Sequence, residues 1–304
     1  SQDINAGQQL AITMIRADDK LNDTDSEQDI WAQPLPPYLL ANHSISIELH
    51  DEASRFNINN LYQNGAVDSA ALAILQRLLT QLNLEPDIAI AILDYQDTDS
   101  EVYQDGGDES VVYSQQSSGS ASETLPNQAL VSIDQLQEIR GVNAEILAAL
   151  RPYITAVPYY VPINVNTASP VLLAALIDGA TSQQMQGLVD MRAKQALASI
   201  DDVWQLPILS SLSNEQRKAL APLLAVDSQA FTALITATDS ASLGQQRQRF
   251  ATVLISKIAT DASEAEGSNT HNSPPNSSNE NQNNKKAKEV KVVTQRLWAF
   301  RPSF

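Results

Sequence analysis

The period of the apolar positions changes twice along the chain. From Ile4 the small or apolar residues Gly7, Ala11 and Met14 recur every three or four positions beside Ile15 and Leu21, which predicts an amphipathic helix. The pattern dissolves in "DDKLNDTDSEQD" and then in "IWAQPLPPYLL", where Pro34, Pro36 and Pro37 forbid helix. In "ISIELHDEASRFNIN" the residues Ile45, Ile47 and Leu49 alternate with Ser46, Glu48 and His50, the signature of a half-buried strand. From Ala66 to about Leu224 the spacing is helical again, in short segments such as Leu72, Leu75, Leu79 and Leu82, or Ile146, Leu147 and Leu150. Near Val226 the pattern returns to alternation. "AFTALITATD", "RQRFATVLISKI" and "EVKVVTQRLWAF" are rich in β-branched residues and predict three further strands. Residues 261–288, between the last two, are too polar to offset their own ordering entropy and read as a disordered hairpin loop.

Helix, strand, a block of helices and three strands do not sort into domains in series. The economical reading is an α+β fold in which residues 1–60 and 226–304 form one domain, with residues 61–225 an all-helical domain inserted after the first strands. The first helix starts with no capping pattern before it, so the chain is expected to be cut from a longer one.

Charge narrows the function. Against 19 basic side chains stand 36 acidic ones, a net charge of −17, and a field of that sign repels a polyanion. The absence of cysteine excludes disulfides, iron–sulfur clusters and thiolate zinc sites. No window approaches the ~20 consecutive apolar residues of a membrane span.

Two stretches have the shape of helical hairpins. In "PINVNTASPVLLAAL" Thr167 or Ser169 can cap a helix whose first turn holds Pro170, and in "SIDQLQEIRGVNAEILAALRPYI" Ser132 caps one helix while Gly141 turns the chain into the next. Helix-hairpin-helix proteins grip DNA through a paired-glycine turn whose backbone amides hold a phosphate beside Lys or Arg. The turns "RGVNAE" and "DGATSQ" carry one glycine each, and the second begins with Asp178, so these hairpins are expected to pack and not to bind nucleic acid. A DNA-binding or DNA-uptake module is the alternative reading.

The stretch "LDYQDTDSEVYQDGGDES" places Asp97, Asp99, Glu101, Asp105 and Asp108 at the first, third, fifth, ninth and twelfth positions of a calcium loop. Val102 stands where an EF-hand needs glycine, and the last position lacks a bidentate Glu, so the geometry need not be an EF-hand. Five carboxylates crowded beside Gly106 and Gly107 repel one another unless a cation intervenes, and calcium is the expected ion. The acidic run at residues 22–29, "NDTDSEQD", has looser spacing. Catalysis finds little support, with His43, His50 and His271 the only histidines and no phosphate loop or nucleophile elbow, and no enzyme is expected.

With these features in hand, the chain resembles the minor pseudopilin K (GspK) family of bacterial type II secretion systems. The resemblance rests on "WAQP", "SRFNINNL", "LDYQDTDSE…DGGDES", "IRGVNAEILAALRPYIT", "INVNTAS", "IDDVWQLP" and "VDSQAF", in the family's order over nearly the whole chain. It implies a pilin-like domain, a long N-terminal helix on an antiparallel sheet, with a large α-domain inserted. It also implies the periplasmic part of an inner-membrane protein whose hydrophobic helical half is missing here. Its partners would be the minor pseudopilins I and J, in a tip complex that starts and caps the pseudopilus. The family binds calcium through an Asp-x-Asp segment and a later acidic pair, which fall on Asp97 and Asp99 and on Asp108 and Glu109; Glu101 and Asp105 come from spacing alone. The order Asp108–Glu109 inverts the family's usual pair, and loop 261–288 is a further departure.

Overall fold

The structure, a computed structural model, describes residues 1–97, 129–240, 244–260 and 288–304. Helix α1 (Gln2–Leu21) is capped by Ser1, whose hydroxyl accepts from the Ile4 N–H at 3.4 Å, so a cap exists where the sequence reading expected none. Its buried stripe is Ile4, Gly7, Ala11, Ile12, Ile15 and Asp18. Leu21, assigned by periodicity to the same helix, is 72% exposed. After a 3-10 turn at Ile30–Ala32 come strand β1 (Tyr38–Leu40) and strand β2 (His43–Asp51). In β2 the alternation is as expected, with Ile45 and Ile47 buried and Glu48 exposed.

Residues 52–225 hold helices α2 (Ser69–Gln81), α3 (Asp87–Gln96), α4 (Ala144–Leu150), α5 (Pro170–Ala174), α6 (Gln186–Lys194), α7 (Ile200–Val203) and α8 (Asn214–Leu220). The stretch from Ala66 is not purely helical. It also carries strands β5 (Ala66–Val67), β6 (Ile154–Thr155), β7 (Ile163–Asn164) and β8 (Leu224–Ala225), while β3 (Phe56–Asn57) and β4 (Tyr62–Gln63) just precede it. They pair as β3–β6 and β7–β8, parallel, and β4–β5, antiparallel. Two-residue ladders leave no period for a sequence reading to detect. Most buried apolar side chains of this segment form one core, including Phe56, Leu75, Leu79, Leu136, Leu150 and Leu172, while Ala53, Val157 and Val161 form a small cluster with Ala230.

Strands β9 (Ala230–Ser240), β10 (Gln246–Ala259) and β11 (Lys288–Trp298) complete an antiparallel sheet of order β1-β2-β9-β10-β11. The chain thus leaves the sheet after Asp51 of β2 and re-enters it beside β2 at Ala230, with residues 52–229 between. Lys288, placed by the sequence reading at the end of a disordered loop, is the first residue of β11; the rest of that loop, 261–287, lies outside the described residues. A second core joins α1 to one sheet face through Ile4, Ala11, Ile15, Ile45, Ile235 and Val253. Gly7 sets how closely they meet, because a Cβ there would stand 2.5 Å from Ile235 Cγ2 and 3.2 Å from Ile45 Cγ2.

Candidate functional site

The asparagines of "SRFNINNL" and "INVNTAS" are inward-facing brackets. Asn57, Asn59 and Asn60 are buried; their amides donate to the carbonyls of Val157, Tyr159, Leu130 and Val161, and their side-chain oxygens accept from the N–H groups of Val157, Leu130 and Val161. Asn164 Nδ2 donates to the Asp25 carbonyl and to Ser228 Oγ, and Asn166 spans Leu197 and Val226. Ser169 is the residue that caps α5, accepting from the Leu172 N–H, while Thr167 Oγ1 donates to Asp51 Oδ2 at 2.5 Å. The nearest cations also point inward. Arg192 donates to the carbonyls of Val165 and Ala168, and Arg77 to those of Ala175 and Leu176, so both satisfy backbone and neither waits for a phosphate.

Where the helical segment meets the sheet, acidic side chains are buried together. Asp18, on the last turn of α1, Asp25 and Asp29 each bring a carboxylate oxygen within 4.8 Å of the others. Lys257, on β10 and 2% exposed, pairs with Asp25, which also accepts from the Ser228 N–H at 2.7 Å. Burial pushes the Asp18 carboxyl up to about 7, with the charges of Asp29 and Asp25 acting in the same direction. Burial likewise pushes Asp51 up to about 7, against the lowering effect of Thr167. Next to it Glu52 accepts from Thr155 Oγ1 and Thr232 Oγ1, both at 2.6 Å. The acidic run at residues 22–29 supplies Asp25 and Asp29, but no motif joined them to Asp18, because the members come from a helix, a loop and two strands.

Of the six residues expected to hold calcium, Asp97 alone lies within the described residues; Asp99, Glu101, Asp105, Asp108 and Glu109 lie outside them. Asp97 is buried and forms the C-cap of α3, one turn after the equally buried Asp94. Two acids at a helix C-terminus face the negative end of its dipole, a place that favours a cation. The histidines that are described take structural roles: His43 Nδ1 is 2.6 Å from Asp239 Oδ1, and His50 stacks on Phe304 with ring centroids 4.0 Å apart.

Several exposed surfaces lie around the sheet. The outer stripe of α1, which includes Asn5, Gln9, Thr13, Arg16 and Lys20, is solvent-exposed and polar. All three residues of edge strand β1 are exposed, Leu39 by 76%. At the opposite edge Leu297 of β11 is 69% exposed and Phe300 beyond it 84%. A polar helix stripe flanked by two apolar edges suits lateral packing against other subunits.

Comparison with known proteins agrees with this geometry. Two family models, both described as type II secretion system (T2SS), protein K, match residues 54–159 and 163–227. The type II secretion system protein K of Klebsiella pneumoniae is 30% identical over 253 residues, which cover 78% of this chain and 75% of that protein. Its counterpart in Pseudomonas aeruginosa is 25% identical over 207 residues, and the match spans 61% of that protein's length. Among solved structures, a chain of the GspK–GspI–GspJ complex from the type 2 secretion system of enterotoxigenic Escherichia coli superposes with a TM-score of 0.72. That match covers 98% of this chain and 96% of the other at 20% identity, a likeness of fold.

Proposed function

The chain belongs to the type II secretion system protein K family, and from that premise we propose that it is the periplasmic part of a minor pseudopilin. It sits at the tip of the pseudopilus of a Gram-negative bacterium, where it starts and caps assembly for export of folded proteins across the outer membrane. Its partners are the minor pseudopilins I and J, and its role is packing, with no chemistry of its own. Among the described residues no helix is long and apolar enough to cross a membrane, and we read the full-length protein as anchored in the inner membrane.

The observation that carries this reading is the one-sided burial of α1, in a fold shared with a chain of a three-protein assembly. We read residues 1–60 and 226–304 as the pilin-like domain and 61–225 as an inserted α-domain whose bulk, projecting beyond the helix packing, is compatible with a terminal position alone. The two main apolar cores support that division, with the small cluster of Ala53, Val157, Val161 and Ala230 between the parts. Calcium held by Asp97, Asp99, Asp108 and Glu109, with Glu101 and Asp105 near it, stiffens the acidic loop of that domain; the buried acids ending α3 support the ion.

Thr13→Trp, on the exposed stripe of α1, tests the interface. We expect it to leave the melting temperature unchanged and to abolish co-elution with the I and J ectodomains. Unimpaired co-elution would remove the helix face from the interface.

A further inference from the structure

We propose that Asp18, Asp25 and Asp29 form a binding site for calcium that locks the end of α1 to the following loop and to β10, separate from the acidic loop of the helical segment. Three observations carry it. The carboxylate oxygens lie within 4.8 Å of one another, with Asp18 2% and Asp25 1% exposed. Asp18 Oδ1 accepts from Asn22 Nδ2 at 2.9 Å, but no N–H or hydroxyl among the described residues donates to its buried Oδ2, and the acidic side chain it faces is another carboxylate, Asp25, an arrangement that costs free energy unless a cation or a proton lies between the two. Finally, when ionised the three carboxylates stand against one ammonium, that of Lys257 on Asp25, a deficit of two charges for a divalent ion. The other nearby lysine, Lys288, is engaged by Asp227 at 2.9 Å and Asp19 at 3.4 Å.

The donor set fixes the class of ion. All three ligands are oxygens, with neither histidine nor cysteine among them, which selects a hard cation over zinc or copper. Magnesium keeps several waters and holds strictly to octahedral order. Calcium gives up water more readily and accepts irregular oxygen geometry. Asp29 Oδ2 accepts from the Ser26 N–H at 2.8 Å and from Trp31 Nε1 at 3.3 Å, which fills that oxygen, while Oδ1, which accepts from Ser26 Oγ at 3.2 Å, keeps a lone pair for the ion.

That indole is the reporter. In a chain carrying Trp204→Phe and Trp298→Phe, Trp31 is the sole tryptophan, and Asp97→Asn with Asp99→Asn silences the other acidic loop. Terbium should then luminesce when Trp31 is excited, calcium should displace it, and Asp18→Asn should abolish the signal. In thermal melts, calcium at about a hundredfold excess over its Kd should raise the midpoint by roughly 5 °C, and Asp18→Asn should lose that rise. In chelator Asp18→Asn should melt at or above the parent, which separates loss of a ligand from loss of the fold. Absence of sensitised terbium emission from the parent chain would overturn the proposal. So would emission that survives Asp18→Asn, or displacement by magnesium and not by calcium.

Discussion

Replacing Gly7 by alanine should destabilise the protein even though alanine is the better helix former. The added methyl would stand 2.5 Å from Ile235 Cγ2 and 3.2 Å from Ile45 Cγ2. Carbon atoms pack best at ~3.5–4.0 Å, so the first contact is about 1 Å too short. Ile235 is fully buried at the centre of β9 and its Cγ2 is fixed on a branched Cβ, so either that side chain or α1 has to give. Overpacking of this kind costs roughly 1–3 kcal/mol. Alanine returns about 1 kcal/mol through helix propensity. With the first contact about 1 Å short the cost falls in the upper part of that range, roughly 2–3 kcal/mol, and the net expectation is a loss of roughly 1–2 kcal/mol, read as a lower urea midpoint with an unchanged slope. Ile235→Leu removes the offending Cγ2, and in that background the same Gly7→Ala change should cost about 1 kcal/mol less. If Gly7→Ala proves neutral or stabilising in the parent chain, the close seating of α1 on the sheet is wrong.

Asp51 predicts a pH dependence. Its carboxyl titrates near 3.8 when unfolded and about 7 when folded, so the folded state holds the extra proton between those values. The associated stability is full below pH ~4 and lost as pH rises through 7, on the order of 4 kcal/mol at most. Asp18 acts in the same direction, so in chelator Asp51→Asn should flatten the slope in part; an unchanged slope would contradict the assignment. Lys257→Met leaves Asp25 buried without its ammonium and should cost roughly 3–5 kcal/mol in urea melts, with much of it regained in the double variant with Asp25→Asn. Asn166→Ala strips partners from Leu197 and Val226 and should cost roughly 2–4 kcal/mol. A variant of that asparagine that melted like the parent would show that the bracket is dispensable.

The parts of the fold built from long periodic elements were legible in the sequence. The alternation of Ile45 and Ile47, and the β-branched runs of β9, β10 and β11, placed the sheet strands, and the 3.6-residue spacing placed α1 and α2. The two-residue ladders were not, because β3–β6 and β7–β8 pair residues far apart in the chain and are held by buried asparagines that read locally as turn formers. The buried acids were hidden for a related reason. The run at residues 22–29 supplies Asp25 and Asp29, but the third carboxylate belongs to α1 and the balancing Lys257 is more than two hundred positions away. Spacing arguments find sites that one loop builds, and this one is assembled by the fold. The resemblance to helix-hairpin-helix proteins was sound at the level of a capped helix; the inward course of Arg77 and Arg192 explains why it stops there.

The central claim is that the chain completes a three-protein tip. The most direct measurement is the mass, by light scattering at micromolar concentration, of this chain mixed with purified I and J ectodomains. A single species with the summed mass of one copy of each is the result expected, and three separate monomers would contradict the account.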